Sequence, residues 1–348
     1  MLQFHSALTV IVPAVVAFIA TLVAGEFIKS YFVSSGIIAE DRNKPGTPKL
    51  PGSGGMAIAF GVIVGILAYA FGGSFVFAPQ LNISNMLASA LSIMLIAVIG
   101  FIDDINVTSR RQQATGMKDI RKGLKQWQKP LLTLLGALPL MALNVGVTII
   151  NVPFLGAIDF GILYPLVIIP LAVVFVANAY NLLGGFNGLE TSTGLVAALG
   201  FLIYSYWFGN TMGFILSAIL VMSMLAFLKF NWYPAQILPG DSLTYAIGGA
   251  FVSIMIMGQA EAFGVIVFIP WMLEFFLHLR SRFKTTDLGI LQKNGRLKAP
   301  YGNKIYSLTH VVMNMMHAKE TDVPLVLCVL EALFVALALL MKVSGLLV

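Results

Sequence analysis

Two adjacent carboxylates, Asp103 and Asp104, close the run Gly100-Phe101-Ile102-Asp103-Asp104. Side by side they repel, and a neighbouring cationic side chain or a metal ion relieves that repulsion. Further along, NAYNLLGGFNGLE at 178–190 sets Asn178, Asn181, Asn187 and Glu190 among Gly184, Gly185 and Gly188. Carboxamide oxygens can coordinate a hard cation or hydrogen-bond phosphate without adding charge, and glycines let backbone approach a ligand. The same stretch has a plainer reading, because Asn187 to Glu190 has the spacing of a capping box. Asp241, after Pro239-Gly240, either caps the helix that follows or holds a cation. Arg280, Arg282 and Lys284 offer donors suited to phosphate oxygens, or else serve as a positive anchor. Together these residues point to an anionic ligand.

The elements that must position them are membrane helices. Of 348 residues, 58% are hydrophobic and 10% charged, a balance far from soluble usage. Apolar stretches of roughly 17 to 25 residues recur, each long enough to cross a hydrocarbon core of about 30 Å. The expected fold is an all-α polytopic membrane protein of about ten spans, near 7–28, 54–72, 85–102, 130–146, 161–179, 191–208, 212–229, 242–259, 262–279 and 324–342. No linker divides it, so residues 1–348 read as a single transmembrane catalytic domain. The first run, His5 to Ala24, lacks the basic start and the cleavage site of a signal peptide. Cys328 is the sole cysteine, which excludes a disulfide framework or a cysteine metal cluster; it reads as a packing residue.

Every Lys and Arg except Lys342 falls on the side opposite the termini. The positive-inside rule then places 29–53, 103–129, 180–190, 230–241 and 280–323 in the cytoplasm and both termini outside. The net charge of +6 belongs to that face, and anionic headgroups account for much of it, Lys118, Arg121 and Lys122 included. Residues 147–158 read as a small β-hairpin at the outer surface. The Asn82-Ile83-Ser84 sequon lies outside but reads as an unmodified loop, and the Asn106-Val107-Thr108 sequon lies inside. A transporter would set its polar groups near the midplane. Here they gather at inner helix ends, which favours interfacial chemistry.

With GFIDD at 100–104, NAYNLLGGFNGLE at 178–190 and FNWYPAQILPGD at 230–241 in that order, the chain resembles the polyprenyl-phosphate N-acetylhexosamine-1-phosphate transferases. The likeness is greatest to the dolichyl-phosphate GlcNAc-1-phosphotransferases of eukaryotes and archaea, and it runs from about Asp41 to the last helix. It implies transfer of GlcNAc-1-phosphate from UDP-GlcNAc to a polyprenyl or dolichyl phosphate, releasing UMP, as the first step of lipid-linked oligosaccharide assembly for N-glycosylation. It also implies Mg2+, replaceable by Mn2+, held by Asn181 and Asp241.

On the same resemblance Asp103 organises or deprotonates the acceptor phosphate, Asp104 orients Lys129 or metal-bound water, and Lys129 approaches phosphate. A double displacement with an aspartate nucleophile stays open. Asp41, Lys44, Asn187 and Glu190 fall on the substrate side, Asn178 reads as structural or supporting, and Arg280 and Arg282 clamp the diphosphate. Ser281 stands where the eukaryotic relatives carry histidine; His310 and His317 read as parts of an amphipathic or interfacial helix. The implied partners are membrane lipid and the two substrates, with no nucleic acid and with a homodimer allowed. The implied location is an archaeal plasma membrane with the site facing the cytoplasm, or alternatively the endoplasmic reticulum. Competing readings are a transferase using another UDP-HexNAc, such as UDP-MurNAc-pentapeptide, and a transporter of lipid-linked or nucleotide sugars.

Overall fold

The computed structural model describes residues 4–75, 82–105, 123–152 and 156–347. The Asn106 sequon and Lys118, Arg121 and Lys122 lie outside them. Helices α1 (Phe4–Ser34), α2 (Gly55–Phe75) and α3 (Ile83–Ile105) are followed by two short helices, α4 (Gln128–Thr133) and α5 (Leu138–Ala142). Then come α6 (Ile169–Tyr180), α7 (Leu189–Trp207), α8 (Thr211–Asn231), α9 (Gly240–Met257), α10 (Glu261–Val267) and α11 (Ile269–Arg280). Helices α12 (Leu308–Met316) and α13 (Asp322–Val343) complete the chain.

Among the described residues, three small antiparallel pairs lie between these helices. Strands β1 (Ile38–Glu40) and β2 (Lys49–Pro51) lie between α1 and α2, and β5 (Ile290–Leu291) and β6 (Leu297–Lys298) between α11 and α12. Strands β3 (Ile149–Val152) and β4 (Gly156–Asp159) pair with Ile149 opposite Asp159, overlapping the stretch 147–158.

Local chemistry sets several helix starts. Asn82 Oδ1 accepts the Asn85 N–H at the start of α3, Asn210 accepts the Gly213 N–H at the start of α8, and Ser307 accepts the Thr309 N–H at the start of α12. Each side chain satisfies a donor that the first helical turn leaves unpaired.

Among the described residues six helices are long and apolar enough to cross a membrane, and seven if the bent pair α10–α11 is one span. That is fewer continuous helices than the ten spans expected from sequence, and the reasons are local. The stretch at 130–146 is split into α4, a 3-10 turn at Leu134–Ala137 and α5, with Pro139 removing a backbone donor that a continuous helix would use. At 161–179 a π-helical turn at Tyr164–Ile168 precedes α6, and α10 and α11 bend by 56° just before Pro270. Helix α7 begins Leu-Glu-Thr-Ser-Thr, which lowers its apolarity.

Side chains such as Val23, 63% exposed, and Leu340, 67% exposed, form an apolar outer surface that lipid satisfies. Helix α9 is the most deeply buried of the described spans, whereas α1 is largely exposed. Helices α2, α3, α6, α7 and α8 all pack against α9. The stacked rings of Tyr180 and Trp271, 5.0 Å apart, tie α6 to α11. Asp241 therefore sits in the first turn of the best-anchored helix.

Gly100 permits that arrangement. A Cβ there would stand 2.5 Å from the Asp241 carbonyl oxygen, so α3 meets the start of α9 backbone to backbone. Gly100→Ala is expected to cost about 1–3 kcal/mol through overpacking and to lower turnover by displacing Asp241. Thermal unfolding in detergent, read beside activity, checks both.

Candidate active site

Four helices each deliver one polar side chain to a single point. Asp103 comes from the end of α3, Lys129 from α4, Asn181 from just past α6 and Asp241 from α9. Lys129 Nζ lies 2.7 Å from Asp103 Oδ2 and 2.5 Å from Asp241 Oδ2. Asn181 Nδ2 donates to the same Asp241 oxygen at 3.1 Å, while Asn181 Oδ1 accepts from Thr244 Oγ1 at 2.6 Å. The second oxygen of Asp103 accepts the Leu124 N–H. Two carboxylates, one carboxamide and one ammonium thus share a space in which the lysine holds the place of a cation.

Asp104 is differently employed. Its Oδ1 accepts the Asp241 N–H at 2.8 Å, and its Oδ2 accepts the Ser242 N–H at 3.1 Å and the Ser53 hydroxyl at 2.9 Å. These bonds are the N-terminal cap of α9, supplied from α3, since no side chain preceding α9 caps it. Gly240, at φ +70°, makes the approach possible, because a Cβ there would collide with the Asp104 carboxylate. Asp241 is consequently not the cap of its own helix, and Lys129 pairs with Asp103 and not with Asp104.

A second polar group lies around Lys44. Its Nζ contacts Asp41 Oδ2 and Asn187 Oδ1, each at 2.5 Å, and Glu320 Oε1 at 3.0 Å. Asn187 donates through Nδ2 to Asp41 at 3.1 Å and through its backbone N–H to Glu320 at 3.2 Å, and its Oδ1 also accepts the Ala235 N–H. Burial raises the Glu320 carboxyl above its ordinary range, while Lys44 pulls it down. The capping-box reading of Asn187 and Glu190 does not hold. Gly188, at φ +78°, precedes α7 without any side-chain cap, and Glu190 Oε1 instead accepts the Gly185 N–H at 3.0 Å.

Asn178 binds Thr133, the Val174 carbonyl and Tyr245, so its amide is spent on joining helices. Arg280 and Arg282 are exposed. Arg280 lies over the Tyr306 ring at 5.5 Å, and Arg282 holds a left-handed backbone at φ 55°. Next to it, the Phe283 carbonyl accepts from Gln126 in the segment leading to Lys129. His310 is buried, bonded to the Tyr306 N–H and the Thr286 carbonyl, and His317 ends α12.

Two features escaped the sequence reading. Glu320 stands beside Lys44 and Asn187 only because the chain folds back onto them, and no local pattern marks it. Glu274, His278 and Asp287 bring potential ligand atoms within 4.8 Å of one another and could hold a divalent ion. The i,i+4 spacing of Glu274 and His278 on α11 was the available signal.

The family described as Glycosyl transferase family 4 matches residues 86–259, which takes in Asp103, Lys129, Asn181 and Asp241. A protein of Saccharolobus solfataricus is 32% identical over 339 residues, covering 97% of this chain and 98% of its own length. It carries the provisional name UDP-N-acetylglucosamine--dolichyl-phosphate N-acetylglucosaminephosphotransferase. A like-named protein of Sulfolobus acidocaldarius is 32% identical over 97% of both chains. The Phospho-N-acetylmuramoyl-pentapeptide-transferase of Halalkalibacterium halodurans is 36% identical over 230 residues, 65% of each chain.

Proposed function

The chain belongs to the polyprenyl-phosphate N-acetylhexosamine-1-phosphate transferase family, and from that premise we propose that it moves GlcNAc-1-phosphate from UDP-GlcNAc to a dolichyl-type phosphate. The observation that carries this reading is the meeting of Asp103 and Asp241 on Lys129 Nζ beside Asn181. That group suits a diphosphate whose charge must be met by cations. The sugar and lipid follow the archaeal relatives, which match along nearly the whole chain, whereas the muramoyl-pentapeptide enzyme matches 65% of it.

In this reading an oxygen of the lipid phosphate attacks the phosphorus nearest the sugar. The bond between the two phosphates breaks, and UMP leaves with its electron pair. A phosphate monoester has a second pKa near 6 and is largely dianionic at neutral pH, so no strong base is required. Lys129 exchanges a carboxylate for phosphate oxygen, and Asp103, held by the Leu124 N–H, orients the acceptor. Asp104 fixes Asp241 through the start of α9. Arg280 and Arg282 meet the diphosphate from the α11 side, while Asp41, Lys44, Asn187 and Glu190 shape the nucleotide side.

The Mg2+ that the family implies fits the oxygen donors present. Asp241 and Asn181 would hold it, with the Asn181 amide turned to present the oxygen now facing Thr244, and Lys129 already marks a position that accepts positive charge. Bound there, Mg2+ would neutralise diphosphate charge and stabilise the departing UMP. We place the basic inner loops in the cytoplasm and both termini outside, with the broken segments at 128–142, 164–180 and 261–280 and helix α7 completing a ten-span topology.

Purified protein with a short polyprenyl phosphate is expected to release UMP from UDP-GlcNAc and not from UDP-MurNAc-pentapeptide. The reverse pattern would reassign the sugar. Accumulation of nucleotide sugar in proteoliposomes without UMP would replace the enzyme by a transporter.

A further inference from the structure

The segment that leaves α11 returns to it through three side chains for which the transfer reaction has no use. Glu274 and His278 stand one turn apart on α11, and Asp287 comes back from the following loop. His278 Nε2 lies 3.0 Å from Glu274 Oε1 and 3.0 Å from Asp287 Oδ1. Glu274 is fully buried and His278 is 6% exposed.

One ring N–H points in one direction and serves one of these oxygens well. It is directed at Glu274, and Asp287 Oδ1 is left as a buried oxygen without a hydrogen bond. A buried polar atom in that condition calls for an explanation. One cation among the three atoms supplies it, with imidazole nitrogen and both carboxylate oxygens as donors. Two of these residues are also anchored from α12, as outer-shell bonds anchor ligands. Glu274 Oε2 accepts the Leu308 N–H at 2.7 Å, and the Asp287 carbonyl accepts the Thr309 hydroxyl at 2.8 Å.

We propose that Glu274, His278 and Asp287 bind one divalent transition-metal ion of the zinc class, which fastens the loop at 281–307 and α12 onto α11. The class follows from the donors. Imidazole with two carboxylates suits Zn2+, Mn2+, Fe2+ or Co2+, while Mg2+ prefers an all-oxygen, largely hydrated shell. The site uses neither Asn181 nor Asp241 and does not depend on the reaction proposed above.

Metal analysis of the full chain, purified in detergent without chelator, is expected to find one transition ion per chain, falling to background in His278→Ala. Asp287→Asn keeps the shape of the side chain and guards against a folding artefact. Wild-type protein stripped of metal and titrated with Co2+ should develop visible ligand-field bands. Asp287→Asn should weaken Co2+ binding by more than the roughly 10- to 100-fold cost of losing an outer-shell partner. Wild-type protein that purifies without metal and takes up no Co2+ would overturn the site and leave a proton-bridged ion triad. Bands unchanged in both variants would overturn it equally.

Discussion

Asp241→Ala is expected to lower Mg2+-dependent UMP release by a factor on the order of 10² or more, comparable to losing a strong electrostatic contact to the transition state. Its effect on stability should be small. The start of α9 is capped by Asp104 and Ser53 supports that carboxylate, so removing the Asp241 side chain leaves no helix end uncapped. A side chain that only capped the helix would instead lose about 1 kcal/mol of stability in Ala and be nearly silent in Asn. Asp241→Asn keeps an oxygen but no charge and should fall between wild type and Ala. Turnover and thermal unfolding in detergent separate the readings. Near-wild-type turnover by D241N with unchanged Mg2+ dependence would remove Asp241 from the metal site.

Lys129→Met should have an effect as large, by a different route. It removes the charge that stands between Asp103 and Asp241, leaving two carboxylates to face one another without compensation. Both stability and turnover should fall, turnover by about 10² or more if the ammonium meets phosphate in the transition state. Adding Asp103→Asn to Lys129→Met relieves the repulsion and should restore most of the melting temperature without restoring UMP release. Lys129→Arg keeps the charge in a planar fork of different reach and should recover only part of the activity. If the K129M/D103N pair regained near-wild-type turnover, Lys129 would be a structural counter-charge and its place in the chemistry would be lost.

These two residues also mark how much the amino-acid order discloses. Asp103, Asn181 and Asp241 were legible as polar groups at the ends of apolar runs, where burial of charge needs a reason. That they meet requires α3 and α6 to pack on α9, and the family motifs supplied that juxtaposition in advance. The division of labour within Asp103-Asp104 was not legible. A cap donated from another helix leaves no local signature, so Asp104 read as a group orienting Lys129 or metal-bound water. Asn187 and Glu190 misled in the opposite sense, since their spacing fits a cap that a left-handed Gly188 and the Gly185 N–H replace. Hydropathy located the apolar stretches between 128 and 280 but did not show that proline and a π-turn break three of them.

The bonds from Lys44 to Asn187 and Glu320 join segments separated by 143 and 276 positions along the chain. At synthesis rates of about 5–20 residues per second, the first loop waits on the order of tens of seconds for its last partner to leave the ribosome. Asp41 and Lys44 are made early and Glu320 just ahead of α13, so the polar group around Lys44 is completed in the closing stage of biogenesis. Nascent chains halted before residue 320 should therefore insert most of their helices while holding the first inner loop open to protease.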